Sequence, residues 1–176
     1  MKALTLLRYV LSLIVVVCSG SVGWILGASV RDRPQQLALL QAALSRLETE
    51  IHHGMMFLPE AFGELARIIP RPVNRLFHEV AYLLVDGELP LEVAWRQALL
   101  DARQYLVLNR DDERILANLG HNLGISPRGD QARHLAIARE QLHGQETAAR
   151  QVEKHAARLY HALGWAAGVA LILVLI

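Results

Sequence analysis

Two stretches of the chain carry the pattern Glu-x-x-His, at Glu50 to His53 and at Glu140 to His143. In helical di-metal carboxylate proteins, two such pairs on separate helices combine with two further glutamates to hold a metal pair inside the core. The first pair sits in a crowded corner, LETEIHHGMMFLPEAF at residues 47–62, where Glu48, Glu50, His52 and His53 precede Gly54 and Pro59. The spacing raises a membrane-tethered di-metal carboxylate enzyme as one reading. The direction of these side chains tests it.

Before the corner, apolar residues fall at Leu37, Leu40, Leu44, Leu47 and Ile51, a helical stripe. At about 100° per residue, Glu50 lies roughly 100° from the centre of that stripe and His53 roughly 160°. Near the chain's end, the stripe through Leu135, Ala138, Leu142 and Ala149 leaves Glu140 and His143 near the opposite face. Both pairs are expected to point away from the core. His52 and His53 are adjacent, so on a helix they diverge and cannot chelate together. The sequence has no H-E-x-x-H, phosphate loop, dinucleotide glycine fingerprint or G-x-S-x-G. Arg128-Gly129-Asp130 falls at a helix start and is read as a chance tripeptide. No catalytic residue, metal ligand or cofactor is assigned, and the chain is not expected to be an enzyme.

The elements that must carry these residues are all helical. Pro34 opens the first helix and Gly54 ends it. Pro59 suits the first turn of a second helix through Phe62, Leu65 and Ile68 or Ile69, ended by Pro70 and Pro72. A third runs from Val73 through Leu76, Phe77, Val80 and Leu84 to the turn Asp86-Gly87. A fourth starts at Pro90 and carries Leu91, Ala94, Trp95 and Ala98 to about Leu108. Asn109 to Asp112 read as a cap before a fifth helix with Ile115, Leu116, Leu119 and Leu123, closed by Gly124. Ser126-Pro127 opens the sixth as cap and first position, and no later proline interrupts it. No stretch alternates like a strand. The expected fold is all-α, an antiparallel six-helix bundle.

Two apolar runs flank it. Tyr9 to Val30 and Leu159 to Ile176 contain no Asp, Glu, Lys or Arg. The first is long enough to cross a bilayer core of about 30 Å as a helix, and the second spans about 27 Å. A signal peptide is the rival for the first run, which is too long for a signal core of about 7–15 residues. The expected organisation is a short tail at 1–8, a transmembrane helix at 9–30, a bundle at 31–158 and a transmembrane helix at 159–176. Arg139, Arg150, Lys154 and Arg158 precede the second span and nothing charged follows it, which favours a cytoplasmic bundle. Arg31, Arg33, Lys154 and Arg158 are the candidate membrane-proximal basic residues. Gly20, Gly23 and Gly27, with Gly164 and Gly168, offer faces on which spans could pack closely. Cys18 is the lone cysteine, so no intramolecular disulfide forms, and it is expected to face lipid or a neighbouring helix.

The corner is read as a helix–helix turn that meets a partner, through Glu48, Glu50, Gly54, Pro59 and Glu60. Its acids have no evident duty within the bundle. A net charge of +1 in a 53% hydrophobic chain gives no sign of nucleic-acid binding.

Several stretches resemble the stage III sporulation protein AB family. RDRPQQLALLQAALSRLETEIHHGMMFLPEAF is similar to that family's opening, in which an arginine-rich stretch leads to L-E-T-E-I, glycine and L-P-E-A. LGHNLGISPRGDQARHLAIAREQL resembles its L-G-x-x-L-G stretch and following D-Q helix, and LGWAAGVALILVLI its C-terminal span. His52-His53 and Pro127-Arg128-Gly129 depart from the family's pattern. The resemblance implies a subunit of the mother-cell membrane facing the forespore, related to inner-membrane platform proteins of type II secretion and type IV pilus systems. It implies a channel between the two cells and, as partners, a secretion-type ATPase and other channel proteins. Self-association, and a membrane adaptor or sensor of another pathway, stay open at this stage.

Overall fold

The computed structural model describes residues 30–51, 57–85 and 89–175, with side chains as far as Ala156 except at Arg128. Every element among the described residues is helical. We label them α1 (residues 30–51), α2 (Leu58–Ile68), α3 (Asn74–Val85), α4 (Leu91–Ala102), α5 (Arg110–Ile125) and α6 (Arg128–Leu175). The chain divides into two units, Asp32–Ala149 and a second that groups Met1–Arg31 with Arg150–Ile176. The first unit holds the core described below.

The helical stripes expected from spacing are the buried ones. Leu37, Leu40, Leu44 and Leu47 of α1 are fully buried, and Ile51 packs against the core from its edge. Leu135, Ala138, Leu142 and Ala149 form the buried face of α6. Each buried leucine contributes about 1.5–3 kcal/mol of apolar transfer. Between them, Phe62 of α2, Phe77 of α3 and Trp95 of α4 meet ring to ring at 5.9–6.4 Å between centroids. Sequential neighbours pack on one another, α2 on α3, α3 on α4 and α4 on α5.

Several boundaries differ from expectation, each for a local reason. Pro34 does not open α1, because residues 30–33 are already helical, and it lies buried within the helix. α2 begins as expected, with Pro59 in its first turn, and Ile69 rather than Ile68 is the buried isoleucine at its end. α4 ends at Ala102, short of Leu108. Leu106 must drop into the core, and the Val107 N–H donates to the buried Gln36 Oε1 at 2.7 Å, so the chain has left the helix by then. Gly124 does not close α5, which runs on to Ile125 with Ser126 as its C-cap. α6 starts at Arg128, with the Pro127 carbonyl accepting from the Asp130 and Gln131 N–H groups. It continues unbroken through Gly144.

Among the described residues no helix is long and apolar enough to cross a membrane. The expected first span, with Gly20, Gly23 and Gly27, lies outside the described residues except for Val30. Of the second span, with Gly164 and Gly168, the helical path alone is described.

Two glycines of α5 explain how closely α4 approaches. The Trp95 indole Nε1 donates to the Leu116 carbonyl at 2.8 Å, a group already within the α5 backbone ladder but with a second lone pair to offer. That contact brings the indole against the helix one turn later, where a Cβ on Gly120 would sit 2.0 Å from Trp95 Cδ1. A Cβ on Gly124 would sit 2.9 Å from Glu92 Cβ, at the start of α4. Gly144 of α6 is the opposite case, exposed and with nothing within 4 Å of such a Cβ. Gly120→Ala is therefore expected to lower stability by about 1–3 kcal/mol through overpacking. Gly144→Ala should raise it by about 0.5–1 kcal/mol by removing backbone freedom from the unfolded chain. Thermal melting of the two variants beside the parent checks the pair, and a neutral Gly120→Ala would contradict the contact.

Candidate functional site

The most organised polar group in the helical unit begins at the start of α5. Asn109 has extended backbone, and its side-chain oxygen accepts from the N–H groups of Asp111 and Asp112 at 2.9 and 2.8 Å. Asp112 answers by accepting from the Asn109 N–H at 2.9 Å, which completes a reciprocal cap. The Asp112 side chain is wholly buried, so its charge needs a partner. Arg33 of α1 supplies one. Its Nε and Nη2 donate to the two carboxylate oxygens at 2.9 and 3.0 Å, and Nη2 also donates to Gln145 Oε1 of α6 at 2.9 Å. One guanidinium thus joins α1, the N-terminus of α5 and α6.

The seam continues along α1 and α6. Gln41 Nε2 donates to Glu146 Oε2 at 2.7 Å, and Arg139 Nη1 donates to Glu48 Oε2 at 2.9 Å and Ser45 Oγ at 3.1 Å. Moving forward along α1 from Gln41 to Glu48 moves backward along α6 from Glu146 to Arg139, so the two helices run antiparallel.

These contacts correct one expectation. Glu48 has an intramolecular duty after all, because it pairs with Arg139 across the seam. Arg33, a basic candidate, is held by Asp112 with its side chain 19% exposed. Of the other basic candidates, Arg31 and Lys154 are exposed, and the Arg158 side chain lies outside the described residues. Sequence reading placed Asp112 in a cap but missed its partner, since no linear signal links residues so far apart in the chain. The nearest hint was an arginine beside a proline that proves buried.

On either side of the corner, Leu47 and Phe62 are buried and Ile51 is partly so. Glu60 is exposed in the first turn of α2, where a negative charge suits the helix N-terminus. Glu50 is half-buried and makes no ion pair among the described residues. Phe57, 69% exposed, precedes Pro59, which is itself half-buried. His52, His53, Gly54, Met55 and Met56 lie outside the described residues. Glu140 and His143 are both exposed on α6, as the stripe required. Among the described residues no group of three or more His, Cys, Asp or Glu is arranged to hold a metal ion.

The family model of stage III sporulation protein AB matches residues 8–176. The chain belongs to that family. Stage III sporulation protein AB of Bacillus subtilis (strain 168) is 31% identical over 170 residues, 97% of this chain and 99% of that protein. A solved structure of stage III sporulation protein AB (SpoIIIAB) superposes with a TM-score of 0.67 at 32% identity, covering 70% of this chain and 98% of that one.

The stretches that carry the stage III sporulation protein AB resemblance have physical roles here. In L-E-T-E-I, Leu47 is core and Glu48 is the seam's ion pair. In L-P-E-A, Pro59 sits in the first turn of α2 and Ala61 is buried. In L-G-x-x-L-G, Leu119 and Leu123 are core, while Gly120 and Gly124 admit α4. In the D-Q step, Gln131 Nε2 donates to the Leu123 and Ser126 carbonyls at 3.2 and 3.3 Å and so binds the α5–α6 turn. These motifs build helix contacts.

The two corner acids of α1 should respond differently to charge reversal. Glu48→Lys sets a lysine against Arg139 and is expected to cost about 1 kcal/mol of stability. Glu50→Lys should stay within about 0.5 kcal/mol of the parent. Denaturant unfolding of both variants measures this, and equal effects would contradict the assignment of Glu48 to the seam.

Proposed function

We propose that the chain is a non-enzymatic platform or assembly subunit of a secretion-like channel between mother cell and forespore. In this reading two helices anchor it in the mother-cell membrane and leave the helical unit in the cytoplasm. There it couples a secretion-type ATPase to membrane components of the complex. The observation that carries the proposal is membership of the stage III sporulation protein AB family along residues 8–176. Two further observations support it. The runs Tyr9–Val30 and Leu159–Ile176 lack Asp, Glu, Lys and Arg, as spans require. The buried charge of the helical unit is engaged in tying helices together, which suits a part that transmits force or position.

The corner between α1 and α2 is the proposed docking point for the ATPase side of the complex. Glu50 and Glu60, with the exposed Phe57 between them, offer acids around an aromatic anchor. The test is capture of the tagged full chain from membranes of sporulating cells, with and without Glu50→Lys and Glu60→Lys together. The proposal expects a secretion-type ATPase to co-purify with the parent and to fall away from the double variant, while melting is unchanged. Equal capture by both would move the docking surface elsewhere. Absence of any such ATPase from the parent's complex would overturn the platform reading.

A further inference from the structure

The outward face of α3 and the end of α4 form a surface of unusual make-up. Arg75, His78, Tyr82 and Val85 fall within an arc of about 80° on α3. The buried Leu76, Phe77 and Val80 lie on its other side. Tyr82 and Val85 are 67% and 73% exposed, a large apolar presence on solvent. Beside them a shallow groove of about 280 Å³ runs between α3 and α4, with Arg75, Glu79, Asp101 and Tyr105 among its lining residues. The Arg75 guanidinium lies flat over the Tyr105 ring at 3.7 Å from its centroid. That stacking holds the cation in place and leaves its N–H edge to donate.

Among the described residues the charges of this groove form no ion pair. Among the described residues Arg75 pairs with no carboxylate, and neither Glu79 nor Asp101 pairs with a cation, although all three line one groove. A partner of one charge sign fits poorly, because an acidic surface meets Glu79 and Asp101 and a basic surface meets Arg75. The fitting partner presents both signs at the same spacing, together with aromatic and aliphatic side chains. This patch is itself such a surface. A two-fold axis sets residue i of one copy against residue j of the other and then j against i, so unpaired opposite charges on one patch satisfy each other twice. We propose that this face is the docking site for a second copy of the chain, Arg75 of each copy meeting Asp101 of the other, with Tyr82 and Val85 near the axis. The inference stands apart from the proposed role in the channel.

The test is cysteine cross-linking of the full chain in membranes, in a Cys18→Ser background that removes its one cysteine. Tyr82→Cys should give a cross-linked dimer, and Glu140→Cys, exposed on α6, should not. Arg75→Glu or Asp101→Arg, each added to Tyr82→Cys, sets like charges together twice and should cut the dimer on the order of tenfold. The two reversals combined restore the pairing with the signs exchanged, so the dimer should return. Because a misfolded protein is not rescued by a second charge reversal, the return separates docking from damage to the fold. Equal cross-linking from Tyr82 and Glu140 positions, single reversals without effect, or a double reversal that fails to recover would each overturn the proposal. So would a Tyr82→Cys chain that forms no dimer because the face binds a different protein.

Discussion

A carboxylate buried without solvent is the constraint around which the helical unit is arranged. Asp112 is needed at the start of α5, where it accepts the Asn109 N–H and carries negative charge at the positive end of the helix. Burial of that charge is costly unless a cation answers it, and Arg33 does so with a two-point contact. The geometry of that contact fixes three helices at once, because the same guanidinium also reaches Gln145. Once α1 and α6 are set there, the Gln41–Glu146 and Glu48–Arg139 contacts follow in register. Apolar burial is non-directional, whereas a two-point ion pair has one specific geometry.

A second constraint acts between α4 and α5, and it is one of shape. Trp95 fills the aromatic centre with Phe62 and Phe77 and satisfies its N–H on the α5 backbone. The indole can come that near only because Gly120 has no side chain, with Gly124 giving the same clearance to Glu92. The polar seam and this close approach lie on different pairs of helices, and α5 takes part in both. Its cap is tied to α1 and its glycines to α4, so its position transmits between them. In a subunit proposed to pass movement from an ATPase to a membrane, such a shared element is the natural link.

Much of this was legible in the sequence, and the reasons are physical. The stripes of α1 and α6 could be read because apolar spacing of three and four residues reports directly on one buried face. The outward direction of Glu140 and His143 followed from the same periodicity. Helix ends were less legible. Leu106 looks like a continuation of α4, yet the core requires it after the chain has turned, and Gly124 looks like a stop when its use is clearance for Glu92. The partners of charged residues were illegible. Glu48 reads as a free corner acid until three dimensions bring Arg139 to it, and no linear signal joins Arg33 to Asp112. Periodicity gives the face of a residue but not its neighbour on another helix. The candidate docking face on α3 went unnoticed for the same reason, since it joins residues of two helices.

The central claim is that Arg33 and Asp112 act as one unit, and a double-mutant cycle measures it most directly. Arg33→Met, Asp112→Ala and the double variant are unfolded in denaturant beside the parent. Loss of the cap contact to Asn109 is common to both Asp112→Ala variants and cancels in the cycle. Asp112→Ala alone is expected to cost about 3–5 kcal/mol, because it strands a largely buried cation. The double variant should then cost less than the two singles together by about 1.5 kcal/mol or more. Singles that add to within about 0.5 kcal/mol would contradict the account.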